Sequence, residues 1–192
     1  LGWSDIGAYG SEVATPNLDQ LAESGMRFRQ FYNTAKCFPS RACLLTGRYA
    51  QEVNMWRYPV RMQNHTTFAA ALQQVGYYTV AVGKHHGNEN LFFEGFDHYY
   101  GLRGGSSNHF NPGGLLEEGF ANKGRRSLYV FDETTQDPYF PEDDDFYTTD
   151  NFTDWAIELL AQKPSEKENF LLHPGAALNQ ATCLGDRQRI EQ

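Results

Sequence analysis

Cys37, Arg41, Lys84 and His86 are the side chains of this 192-residue chain whose types could do chemistry together. The first two lie in one dense segment, Cys37-Phe38-Pro39-Ser40-Arg41-Ala42-Cys43-Leu44-Leu45-Thr46-Gly47-Arg48. Phe38-Pro39 stiffens the approach to a short helix, Ser40 is its expected cap, and Ala42 to Leu45 supply a buried turn or two. Gly47 is placed to end it in a left-handed conformation. Cys37 then sits at the positive end of the helix dipole. Free amide N–H groups, that dipole and the Arg41 guanidinium all favour negative charge at one spot, which suits an anionic ester.

The second pair falls in Gly83-Lys84-His85-His86-Gly87, directly after the β-branched and aromatic run Tyr77 to Val82. Strand ends are where α/β proteins place reacting groups. Lysine brings a compact positive charge, and histidine moves protons near neutrality. His65, His98, His109 and His173 have no motif around them and are expected at the surface or packed. Asp143-Asp144-Asp145 lacks the alternate ligands and final glutamate of a calcium loop, so it is expected to be a solvated approach to a helix.

These residues need a scaffold, and the pattern supplies one. Thr15-Pro16 starts a helix to Ser24 with Leu18, Leu21 and Ala22 on its apolar face, and Gly25 follows. The alternation from Met26 to Tyr32 predicts a strand leading into the cysteine segment. Thr66-Thr67 caps a helix to Val75, stopped by Gly76, ahead of the strand Tyr77 to Val82. Residues 101 to 125 are rich in glycine and predict an ordered surface loop. Within it, Gly104 to His109, with Tyr99, Tyr100 and Phe110, either line a pocket for a sugar or aryl group or form a plain loop. Arg126 to Phe131 is a further strand, residues 148 to about 162 a helix with Phe152, Trp155, Ile157, Leu159 and Leu160 apolar, and Asn169 to Leu172 a core strand. Helices alternating with strands imply an α/β sandwich: a largely parallel or mixed central sheet flanked by helices.

With 40% hydrophobic and 15% aromatic residues, the composition is globular. A formal net charge of −8, with lysines and arginines scattered, argues against a nucleic-acid partner. No apolar run approaches the ~20 residues of a membrane span. Cys37, Cys43 and Cys183 match neither a zinc ribbon nor a disulfide framework. The chain starts at Leu1 without methionine, so further residues are expected upstream.

The twelve-residue segment resembles the signature of the type I sulfatases, C-x-P-S-R followed by L-T-G-R, within the alkaline-phosphatase-like superfamily. Gly83 to Gly87 resembles that family's G-K-W-H-L-G, with His85 in place of the tryptophan. Leu1-Gly2-Trp3-Ser4-Asp5, Thr15-Pro16-Asn17-Leu18-Asp19 and Gly95-Phe96-Asp97 with Tyr100-Gly101 are similar to three further family motifs, and the resemblance covers roughly residues 1 to 172. It implies a sulfuric ester hydrolase, arylsulfatase-like, in which Cys37 is oxidised to formylglycine by a formylglycine-generating enzyme. The modified Cys37 also touches a divalent metal, Ca2+ or else Mg2+. Arg41 orients the nucleophile, Lys84 binds sulfate and His86 handles the proton. The implied substrate is an aryl sulfate or sulfated glycan, in a periplasmic, secreted or lysosomal setting.

The family's metal-binding aspartates would precede Leu1, and its later Asp-Asn pair has no place before Gln192. Residues 1–192 are therefore expected to be the N-terminal part of one sulfatase domain, with 173–192 an atypical tail that is truncated, divergent or frame-shifted. Two alternatives share the same residues: a phosphonate or phosphodiester hydrolase with the same nucleophile, and a catalytically inactive fragment.

Overall fold

The computed structural model describes residues 3–57, 60–105, 107–113, 129–136, 139–163 and 169–175. Most of the 173–192 tail, residue 106 and residues 114–125 of the expected loop, and 126–128 of the expected strand lie outside these. Two units divide the chain, with the boundary between Asn33 and Thr34.

In the first unit, 3-10 turns at Trp3–Asp5 and Gly7–Tyr9 precede helix α1, Pro16–Ser24. The Thr15-Pro16-Asn17-Leu18-Asp19 motif explains the join. Thr15 Oγ1 accepts from Gly7 N at 2.8 Å and donates to Asp19 Oδ1 at 2.9 Å, while Asp19 also accepts from Ala8 N at 2.7 Å. No residue of α1 is buried. The strand expected from Met26 to Tyr32 does not form: this segment is irregular and exposed. Alternation alone does not make a strand, because its N–H and C=O groups need a neighbour, and no strand of the described residues lies in this unit.

The second unit is built on a mixed five-stranded sheet, ordered β4-β3-β2-β1-β5. The strands are β1 Tyr78–Gly83, β2 His98–Leu102, β3 Tyr129–Phe131, β4 Thr134–Gln136 and β5 Phe170–Gly175. β1 pairs in parallel with β2 (Val80 opposite His98) and with β5 (Val80 opposite Leu172), whereas β2-β3 and β3-β4 are antiparallel. Helices are α2 Cys37–Thr46, α3 Phe68–Gln74 and α4 Thr148–Ala161. Thr67 caps α3 by accepting from Ala70 N, as its sequence predicts.

The period-two rule sorts the core into two layers. Ala81, Tyr99 and Val130 point to one face and pack with Phe38, Ala42 and Leu45 of α2 and Ala69 of α3. Tyr78, Val80, Val82, Tyr100, Leu102 and Tyr129 point to the other and pack with Phe146 and with Phe152 and Leu159 of α4. Every residue of β1 is buried because both faces are covered, which explains its unbroken apolar character. Ile157, expected among the apolar positions of α4, is exposed; it falls off the stripe set by Phe152 and Leu159.

Candidate active site

Helix α2 begins after Lys36, whose extended backbone carries no side-chain cap. The expected Ser40 cap is not formed. Ser40 lies inside the first turn, its N–H donating to Lys36 O at 3.1 Å and its hydroxyl bonded to Thr34 Oγ1 at 2.6 Å. Pro39 is tolerated because first-turn N–H groups have no partner within the helix. Gly47, at φ 65°, ends the helix as predicted, its N–H donating to Cys43 O at 2.8 Å.

Two bonds bring the end of β1 to this helix. Arg41 Nη1 donates to Lys84 O at 2.7 Å, and His86 Nδ1 lies 3.0 Å from Cys37 Sγ. All four residues singled out by type are thus gathered between one helix mouth and one strand end. His86 sits at φ 62°, in the left-handed region, with its ring edge-on to Phe38 at 5.9 Å. Gly105 packs against that ring so closely that a Cβ there would overlap Nε2.

Burial, then the charges of Lys84, Arg41, His85 and Lys36, pushes the His86 imidazole down to about 4. It is neutral near pH 7 and able to take up a proton. Burial also lowers the pKa of Lys84 and of Arg41, in each case opposed by Cys37. Anionic charge arriving here is therefore met by partly desolvated cations, where Coulombic attraction is stronger than in water.

Sequence reasoning missed Glu89. It pairs with His85 at 3.0 Å, both about 3% exposed, and its second oxygen accepts from Met62 N. Burial works to raise the Glu89 carboxyl, and the bonds from His85 and Met62 overcome it, leaving its pKa below the ordinary value. The pair clamps the loop between Lys84 and Asn90. Its one sequence trace was an i,i+4 His–Glu spacing across Gly87.

Three of the other histidines are accounted for by side-chain contacts. His65 bonds Glu94 at 2.8 Å, His98 bonds Asp132 at 2.9 Å, and His173 packs against the rings of Phe68 and Phe96. His109 carries the backbone anchor for α4, its carbonyl accepting from Thr148 N and Oγ1. Tyr99 and Tyr100 are core residues on opposite faces of the sheet, not pocket walls. Asp143 to Asp145 are exposed before α4, as expected.

Among the described residues, no group of three His, Cys, Asp or Glu is placed to hold a metal ion. Cys37 has Arg41, Lys84 and His86 around it, a set that attracts anions and does not by itself fit a divalent cation. No described helix is long and apolar enough to cross a membrane.

A mixed sheet covered by helices on both faces, with cationic side chains at the end of a central strand, is an alkaline-phosphatase-like arrangement. The Sulfatase family model matches residues 1–176, and the chain belongs to that family. Human arylsulfatase G is 44% identical over 53% of this chain and 22% of its own length; the arylsulfatase of Klebsiella aerogenes is 31% identical over 88% of this chain and 39% of its own. The chain spans a fifth to two fifths of these relatives. Among solved structures, the PsFucS1 sulfatase from Pseudoalteromonas sp. aligns with TM-score 0.72 at 27% identity, covering 91% of this chain and 41% of that one. BT4656, solved in complex with its substrate D-glucosamine-2-N,6-O-disulfate, aligns with TM-score 0.69 at 27% identity over 91% and 32%.

Proposed function

We propose that the protein hydrolyses sulfate esters with a formylglycine made from Cys37, and that Cys37, Arg41, Lys84 and His86 are its catalytic residues here. The observation behind this is the 3.0 Å approach of His86 Nδ1 to Cys37 Sγ at the mouth of α2, beside two cations. Family membership supports the reaction class.

Position 37 suits such a group, since a hydroxyl there would meet a neutral imidazole nitrogen at hydrogen-bond range. The hydrated aldehyde supplies the oxygen nucleophile. His86 accepts a proton at Nδ1 from a hydroxyl borne by residue 37. Lys84 binds a sulfate oxygen through Nζ and offsets its charge, and Arg41 holds the helix mouth against the strand end while adding positive field. The sum is one water consumed, one sulfate ester cleaved, and an alcohol and sulfate released. A divalent ion, Ca2+ or Mg2+, belongs to this proposal with residue 37 as one ligand.

Mass spectrometry of the Cys37 peptide after co-expression with a formylglycine-generating enzyme is expected to reveal the aldehyde. Turnover of p-nitrophenyl sulfate is expected to vanish in Cys37→Ala and to fall about 10²- to 10⁴-fold in His86→Ala. Activity that survives Cys37→Ala defeats the assignment.

A further inference from the structure

The loop from Lys84 to Asn90 has no helix or strand of its own, yet it carries two of the four residues proposed to act on sulfate. Burial along it alternates strictly. His85, Gly87 and Glu89 are buried, whereas Lys84, His86, Asn88 and Asn90 are half-buried. The chain therefore runs on past β1 with a two-residue period, one row of side chains turned inward and the other outward.

The inner row is joined across Gly87. His85 Nε2 donates to Glu89 Oε2 at 3.0 Å, and Glu89 Oε1 accepts from Met62 N, so both carboxylate oxygens are used. A Cβ on Gly87 would overlap the His85 ring and the Glu89 carboxylate, which is why the middle of the row is glycine. The outer row reaches Cys37 through His86, whose backbone at φ 62° is a conformation that persists in a non-glycine residue only where the surroundings impose it. Bonds on either side, His85 N to Leu102 O and Arg103 Nη2 to Asn88 O, hold the path of the loop; they leave the direction of the His85 side chain to Glu89.

We propose that Glu89 is a positioning residue for ester hydrolysis: it holds His85 inward and thereby turns Lys84 and His86 outward to Cys37. This rests on the sulfate-ester function above. A buried apolar pair could fill the same space, but a carboxylate bonded at both oxygens also fixes an angle. Lys84 and His86 need that, since misplacing a reacting group by about 1 Å costs about 10²-fold in rate.

Two readouts test it. Turnover of p-nitrophenyl sulfate is measured per formylglycine, and nuclear Overhauser contacts between the rings of His86 and Phe38, whose centroids lie 5.9 Å apart, are measured on unmodified protein. Glu89→Ala is expected to lower kcat and raise KM, about 10²-fold together in kcat/KM, and to erase the His86–Phe38 contacts. Glu89→Gln is expected to restore most of both, because its oxygen accepts from Met62 N while its NH2 donates to His85 Nε2. Leu159→Ala, a cavity on the α4 face of the sheet, lowers stability but should leave both readouts unchanged. Should Glu89→Ala fold poorly, Glu89→Asp, with its carboxylate drawn back by one methylene, gives the second reading as a partial loss of both. Wild-type values in Glu89→Ala, or losses equal to those of Leu159→Ala, overturn the positioning role. A formylglycine-bearing wild-type protein that turns nothing over overturns the sulfatase function instead, and the ring contacts still decide the role of Glu89.

Discussion

Helices α1 and α2 start alike and end differently. Each has a proline in its first turn and no side-chain cap bond, so local signals make them near equivalents. Yet α1 buries nothing, with Leu21 67% exposed, whereas α2 buries Phe38, Pro39, Ala42 and Leu45 against the sheet. Sequence grammar sets where a helix begins; the sheet beside α2 is what turns a helix mouth into a rigid platform. A reacting group needs that platform, since positioning within a fraction of an ångström depends on packing.

The largest expected contrast comes from trimming each helix. Leu45→Ala, at 1% exposure, should cost about 2–5 kcal/mol in urea unfolding, and Leu21→Ala less than about 0.5 kcal/mol. Equal costs would erase the distinction. Glycines give the next test. A Cβ on Gly101 would overlap the Gly83 carbonyl, so Gly101→Ala should cost about 3 kcal/mol by forcing β1 and β2 apart. Gly10, at φ 94° with open space around it, should cost about 1 kcal/mol on Gly10→Ala from backbone strain alone.

Acid separates the two units further, because residues 1–33 contain no histidine. Burial, then Arg41 and His85, lowers His173 to about 4, against about 6.5 for an unfolded histidine. Below pH 6.5 the unfolded chain binds a proton that the folded chain refuses until about 4, so stability falls as pH drops through that window. The loss from His173 is roughly 2–3 kcal/mol, with His86 acting in the same direction. Hydrogen exchange should show β1 amides losing protection from pH 6.5 to 4, and His173→Phe should flatten that slope. The smallest contrast lies in the threonines before α3 and α1. Thr67→Ala should cost about 1 kcal/mol, since its hydroxyl both caps α3 and donates to Glu94 O, and Thr15→Ala, whose half-buried hydroxyl bonds Gly7 N and Asp19 without capping α1, about half that.

The sequence made α3, β1, α4 and β5 legible because each carries a start signal, a stop signal or a run of the right period. The strand from Met26 to Tyr32 was misread since pairing is a property of neighbours, invisible in alternation. Cys37, Arg41, Lys84 and His86 were nameable from motifs, and their types fit the positions they occupy. The His85–Glu89 clamp was not nameable, because burial of a charged pair is decided by what folds over it. Ser40 failed as a cap for a more local reason: the helix starts one turn earlier than its hydroxyl needs.

The left-handed backbone of His86 has one more consequence, for anyone reading a mutational scan. Glycine and asparagine occupy that conformation at less cost than histidine, so at this position they should raise stability while removing the imidazole. Backbone strain and the proposed turnover then favour different residues at position 86. A stability-guided redesign of this protein would trade away the imidazole proposed to carry the proton.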